Sequence, residues 1–289
     1  MQPPVPQPRL QPGVPAVPLR APQRSSPPEE SFVRRAPLTS FLIATNVVVF
    51  VLQAWHAATF GRPYPGAPGG ALGSLAAMPP NTLHVFGAND AELTMAAGHV
   101  ETLLASVFLH GSLLHLAFNM IALRQVGPVI ERTVSATRMI PLYVVSGVLA
   151  SLSSAMVGWF IDAGRLSVGA SGAICGLLGA ALVTGYRVEG PSSPLMRAMA
   201  RWLLSVVLFG LVTRGISRIS GGQGGVDNAA HIGGAIAGAV IAMLWRRGKT
   251  PGPIARTATL VGFVALLLGT VVTVAVREHD DEAPTKKQT

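Results

Sequence analysis

Ionisable side chains are scarce in this chain: 22 Lys and Arg with 13 Asp and Glu make up 12% of 289 residues, about half of the roughly 25% usual in soluble domains. That deficit, beside 49% hydrophobic residues, excludes an ordinary water-soluble globule. Cysteine is nearly absent. The lone Cys175 excludes an intramolecular disulfide, and there is no CxxC or other zinc spacing, so no redox or metal chemistry has a foothold and no cofactor is implied. HExxH and Gly-x-Gly-Asp are also missing, which disfavours zinc-dependent and paired-aspartate hydrolysis. The formal charge is +9. Its cations are scattered singly and in pairs, with no basic stripe or aromatic platform, so nucleic acid is not an expected partner.

What the chain does have is long apolar runs. Leu38–Trp55, Met139–Ile161 and Thr257–Val276 are nearly or wholly free of ionisable groups, and each is long enough to cross the ~30 Å hydrocarbon layer at ~1.5 Å per residue. The reading is an all-α polytopic membrane protein in a lipid bilayer, with seven spans near 38–57, 111–127, 139–161, 171–187, 202–217, 228–245 and 257–276. Residues 1–37, rich in Pro, Gln, Ser and Arg, cannot bury a core and are expected to form a disordered cytoplasmic tail. The first apolar block lies too far along to be the core of a cleaved signal, so it reads as a span. Residues 38–245 would be the core, and 246–289 a cytoplasmic linker, a seventh helix and a short tail. Arg9, Arg20, Arg24, Arg34, Arg35, Arg124, Arg132, Arg138, Arg187, Arg197, Arg201, Arg246, Arg247, Lys249 and Arg256 fall on one side of this topology, with Arg62, Arg165, Arg214, Arg218, Arg277, Lys286 and Lys287 on the other. The bias, about two to one, predicts a cytoplasmic N-terminus. The segment from about 58 to 110 carries Pro63, Pro65, Pro68, Pro79 and Pro80; its prolines exclude a spanning helix and its length points to a functional, partly embedded loop.

Polar groups inside spans are costly, so each is a functional hypothesis. They gather at three places: Gly169-Ala170-Ser171-Gly172 at the start of span four, His231 near the start of span six, and His110, His115 and Asn119 around the start of span two. Spans two, four and six run in the same direction, which puts these groups at one depth below the outer surface. His115 and Asn119, four apart, share a helix face. Ser171 at a helix start has unpaired N–H groups and a positive dipole end beside it, suited to a carbonyl oxygen gaining charge. A serine hydroxyl needs a base, and His231 is the histidine at matched depth on another span. Gly172 and Gly176, with Ala230, Gly234 and Gly238, form small-residue stripes that allow spans four and six to approach closely.

At these residues the chain resembles the rhomboid family of intramembrane serine proteases. The matching strings are Phe108-Leu109-His110-Gly111-Ser112-Leu113-Leu114-His115-Leu116-Ala117-Phe118-Asn119-Met120, then Gly127 with Glu131, then Gly169-Ala170-Ser171-Gly172-Ala173-Ile174 running into Gly176-Leu177-Leu178-Gly179-Ala180, then Ala230-His231-Ile232-Gly233-Gly234. The resemblance implies Ser171 as nucleophile, His231 as general base, and an oxyanion pocket from the Ser171 N–H, His115 and Asn119. It implies a six-helix core with one added C-terminal helix, N-terminus inside, a first loop shaping lateral access, and Glu131 in a structural network at the cytoplasmic end of span two. Substrates would be transmembrane helices of other proteins, cut near the outer face, and a bacterial inner membrane is the expected location. No feature of the sequence bears on oligomeric state or natural substrate.

Two positions depart from the family's pattern. Glu101-Thr102 stands where many members have Trp-Arg, and Cys175 stands where an aromatic usually stacks on the catalytic histidine. Bland readings compete for several residues. Ser171 alone would be a packing residue, His231 alone a structural histidine, and His115 and Asn119 helix bridges. His110 would bond pocket water or nothing. Asp227, four residues before His231, fits a helix-start role better than a triad, and Glu131 fits an ion pair with a nearby Arg. A catalytically silent relative that binds membrane proteins is the alternative function; a solute transporter is disfavoured by the lack of an inverted repeat or paired broken helices.

Overall fold

The computed structural model describes residues 31–62, 70–134, 136–161, 166–219, 225–245 and 253–282. The proline-rich segment 1–30, Pro63, Pro65, Pro68, Arg165, the linker 246–252 and residues 283–289, each given a reading above, lie outside them. The described chain is helical apart from loops and one two-stranded pairing. It begins with α1 (Phe32–Arg35) and α2 (Pro37–Phe60), and the long first loop follows with α3 (Gly70–Ala76), α4 (Pro80–Val85), α5 (Ala91–Met95) and α6 (Thr102–Ala105). The bundle continues with α7 (Leu113–Val134), α8 (Ala136–Ile161), α9 (Ser171–Glu189), α10 (Pro194–Ile219), α11 (Asn228–Leu244) and α12 (Pro253–Glu282). Six of these helices, α2, α7, α8, α9, α10 and α12, are long and apolar enough to cross a membrane. The seventh apolar helix, α11, has 17 residues and so rises about 25 Å.

Helix boundaries correct the sequence reading in four places. Among the described residues, helix begins at Phe32, ahead of the Leu38 start read for span one, and the Phe32 ring lies under the Arg124 guanidinium, 4.5 Å from ring centroid to carbon, a partner composition alone does not show. Span two continues past Gly127 to Val134 through Pro128, since one missing N–H inside a helix is outweighed by burying Ile130 and Val134. Span five starts at Pro194, where proline suits a first helical turn; Arg197 and Arg201 are helical rather than loop charges. The seventh helix likewise starts earlier, at Pro253, and ends later, at Glu282.

Burial ranks the helices. In α9, 67% of the apolar window is buried, against 6% in α12, so α9 is the central helix and α12 a peripheral one. Around α9 pack α7, α8, α10 and α11. The outer faces remain apolar, with Val51 and Trp55 of α2, Leu208 and Val212 of α10, and Leu268 and Val271 of α12 all exposed. Helices that are apolar on both faces fit a lipid surround. Phe263 brings α12 against the bundle, edge-on to Phe41 with centroids 5.8 Å apart and 5.9 Å from Phe108.

The first loop is held to α8 by a chain of buried polar groups. Asn89 Nδ2 donates to the Ser151 carbonyl at 2.8 Å, Thr94 Oγ1 donates to Asn89 Oδ1 at 2.9 Å, and Thr94 and Thr102 share a hydroxyl bond at 2.9 Å. Ser106 and Ser151 are joined at 3.1 Å. Thr102, one of the two residues that depart from the family's Trp-Arg, is thus a buried link of the anchor. A two-residue strand β1 (Asn89–Asp90) pairs antiparallel with β2 (Leu166–Ser167), tying the first loop to the segment that leads into α9.

Glu131 is buried in α7, where an arginine partner was expected. Instead its carboxylate accepts from Leu38 N at 3.1 Å, Thr39 N at 3.0 Å and the Thr39 hydroxyl at 2.9 Å. The first turn of α2 offers N–H groups with no intrahelical acceptor and the positive end of the helix dipole, which together outcompete a flexible guanidinium. Glu131→Ala is expected to cost about 1–3 kcal/mol by leaving these donors unmet. Glu131→Gln recovers part of that loss, read as the thermal unfolding midpoint in micelles; equal loss from both variants would mean that charge, not acceptor count, carries the effect.

Candidate active site

Ser171 is the first residue of α9, delivered by Gly169, whose φ of +130° lies where L side chains rarely go. A Cβ on Gly169 would also sit 2.8 Å from the His115 ring, so the turn and the imidazole beside it both require glycine. The Gly169 N–H donates to the Ser106 carbonyl at 2.9 Å. His231 occupies the first turn of α11 and is buried. Its Nε2 lies 2.8 Å from Ser171 Oγ, a normal hydrogen bond between a hydroxyl and an imidazole.

That separation depends on how closely α9 and α11 approach. A Cβ on Gly234 would run into the Gly172 carbonyl, one on Gly238 into the Gly176 backbone, and one on Gly179 into the Ala235 carbonyl. The small-residue stripes therefore face each other, backbone against backbone, with the Ser171–His231 pair at their end.

His115 and Asn119 lie on α7 across the same cavity, about 620 Å³ in volume, whose walls also include Ser171, Cys175, Trp202 and His231. The His115 N–H donates to Ser112 Oγ at 3.1 Å, and Asn119 Nδ2 donates to the His115 carbonyl at 3.0 Å. His110 lies behind His115 with ring centroids 5.1 Å apart at 68°, edge to face. Burial, with His115 as a secondary cause, pushes the His110 pKa down to about 3, so it stays neutral at physiological pH. Gly172 faces Ala150 and Ala230, and Glu131 lies on the far stretch of α7, remote in sequence from the reacting groups.

Cys175, one turn after Ser171, is buried and lines the cavity. The His231 N–H makes the first-turn helix bond to the Asp227 carbonyl at 3.1 Å. Asp227 caps α11 through Oδ1, which accepts from Ala230 N at 3.1 Å, as its position before the helix predicts. Its other oxygen accepts from the hydroxyls of Ser167, at 2.7 Å, and Ser154. Those two serines were not singled out from sequence; a buried Ser in an otherwise apolar helix was the signal available for Ser154.

Residues 97–248 match the rhomboid domain. The chain belongs to the rhomboid family. Among relatives, the rhomboid protease AarA of Providencia stuartii is 33% identical over 180 residues, 57% of this chain and 62% of AarA. Rhomboid protease GluP of Bacillus subtilis is 31% identical over 188 residues, 65% of this chain and 34% of GluP. RHOMBOID-like protein 5 of Arabidopsis thaliana is 36% identical over 161 residues, 54% of this chain and 47% of the relative. The chain thus matches less than two thirds of the length of each. The rhomboid match spans α7 to α11 and so contains every polar group of the cavity. With its apolar helices, it makes this an integral, multi-pass membrane protein.

Proposed function

We propose that the chain is an intramembrane serine endopeptidase in which Ser171 is the nucleophile and His231 the general base. The 2.8 Å contact between Ser171 Oγ and His231 Nε2, at the helix start of α9 and in a cavity bordered by His115 and Asn119, is the observation that carries this reading. Two relatives named as proteases, AarA and GluP, support it. The core would be residues 38–245, with α12 as a C-terminal addition.

The chemistry follows from the geometry. Ser171 Oγ attacks the carbonyl carbon of a peptide bond in a locally unwound transmembrane helix as its proton moves to His231 Nε2. The carbonyl oxygen gains negative charge and is met by the free N–H groups at the start of α9, with His115 and Asn119 as further donors. His231 then returns its proton to the leaving nitrogen as the C–N bond breaks. Water admitted to the cavity hydrolyses the resulting ester on Ser171, with His231 again taking a proton. The surrounding low dielectric strengthens each of these electrostatic contacts. Lipid-embedded helices are the substrate class that fits a cavity opening among spans.

Incubation of the folded protein in micelles with a fluorophosphonate, followed by peptide mass analysis, tests the proposal. A single adduct on Ser171 is expected. Folded protein that never reacts there would overturn the proposal and favour a non-catalytic binding role. For the oxyanion donors, Asn119→Ala and His115→Ala are each expected to lower kcat about a hundredfold with little change in KM, measured with a fluorogenic transmembrane substrate. A rise in KM alone would assign them to substrate binding instead.

A further inference from the structure

Hydrogen bonds join Asp227 to three separate parts of the fold. Its backbone carbonyl accepts from the His231 N–H at 3.1 Å, and Oδ1 accepts from the Ala230 N–H at 3.1 Å; both fix the first turn of α11. Oδ2 accepts from Ser154 of α8 and, at 2.7 Å, from Ser167 of β2. Ser167 precedes Ser171 by four residues on the segment that passes through Gly169 and enters α9, and it pairs with Asn89 of the first loop. Both serines are buried. A carboxylate with two hydroxyl donors on one oxygen and a helix-start amide on the other is held by charge-assisted bonds of greater strength than neutral ones.

Resting on the reading of Ser171 and His231 as a dyad, we propose that Asp227 is a positioning residue: it clamps the turn carrying His231 to the β2 segment leading to Ser171 and so sets the distance between base and nucleophile. This role takes up the position left open by Cys175, which offers no ring to stack on the imidazole. The helix stripes bring α9 and α11 together along their length. Asp227 adds a tie at the ends that carry the two reacting groups, since it holds α11 at its first turn and reaches across to the approach to α9. A misplacement of about 1 Å at a reacting centre costs up to roughly a hundredfold in rate.

The test compares wild type with Asp227→Ala, Asp227→Asn, Ser167→Ala, the Asp227→Ala/Ser167→Ala double variant and Ser171→Ala in micelles. It reads kcat, KM, the fluorophosphonate labelling rate per folded molecule, and thermal unfolding. Asp227→Ala is expected to lower kcat and labelling rate about ten- to hundredfold with KM within about twofold. Asp227→Asn, which keeps an oxygen for the helix cap, recovers part of the rate. Ser167→Ala gives a smaller loss of about three- to tenfold, and adding it to Asp227→Ala costs nothing further because one link has been cut twice. Wild-type kcat and labelling in Asp227→Ala would overturn the proposal, as would losses that multiply in the double variant. Should Asp227→Ala fail to fold, a wild-type labelling rate in Ser167→Ala overturns it equally. A wild-type protein that neither cleaves nor labels in a Ser171-dependent way strikes the dyad reading itself, an outcome distinct from these.

Discussion

Ser171→Ala is expected to reduce cleavage of a model transmembrane substrate, assayed in membranes, by at least about ten-thousandfold, and His231→Ala by a similar factor. The reason is the shared proton. Ser171 Oγ lies 2.8 Å from His231 Nε2, and neither group has a function in the attack without the other: a hydroxyl far above its neutral-pH range of ionisation needs a base in contact, and the base needs a proton to take. The double variant is therefore expected to be no slower than either single one, since groups that act as a unit are strongly non-additive. Thermal unfolding of Ser171→Ala is expected to stay close to wild type, because alanine fills the same space at a helix start. Cleavage at the wild-type rate by either single variant would end the dyad reading. Two independent losses that multiply would instead point to separate roles for serine and histidine.

The same pair shows what was legible in the sequence. Ser171, His231, His115 and Asn119 were readable because each is a polar group in an apolar span, where the cost of burial leaves few roles, and because span direction alone assigns them a common depth. The stripes Gly172/Gly176 and Ala230/Gly234/Gly238 were readable from periodicity. The links between segments far apart in sequence were not. Asp227 looked like a helix cap, and it is one, but its second oxygen reaches residues 60 and 73 positions away, a relation no local pattern encodes. Thr102 shows the same limit: in place of a familiar Trp-Arg it reads as a defect, whereas its hydroxyl bond to Thr94 makes it part of the loop's anchor. Glu131 was read by charge, toward an arginine, and is satisfied by amides, because a helix start is itself a cationic site when a carboxylate is packed against it.

Gly238→Val is expected to be the most destabilising single substitution considered, and its magnitude separates two opposing effects. On a helix with room around it, replacing glycine by alanine gains up to about 1 kcal/mol. Gly262 and Gly269 of α12 meet no neighbouring atom within 4 Å of an added Cβ, so alanine there is expected to be neutral or slightly stabilising. At Gly238 the added Cβ would collide with the backbone of Gly176, which cannot rotate aside as a side chain does. Gly238→Ala is therefore expected to lose stability despite its gain in helix propensity. Gly238→Val adds two further methyl groups and is expected to cost at least about 3 kcal/mol, the upper part of the usual overpacking range. Thermal unfolding in micelles reads the stability. Fluorophosphonate labelling of the surviving folded fraction reads the site, because prising α11 from α9 also lengthens the Ser171–His231 contact at the end of the same seam. A Gly238→Val protein as stable and as reactive as wild type would mean that the two helices are held together by something other than the glycine contact, and would remove the structural basis for the 2.8 Å pair.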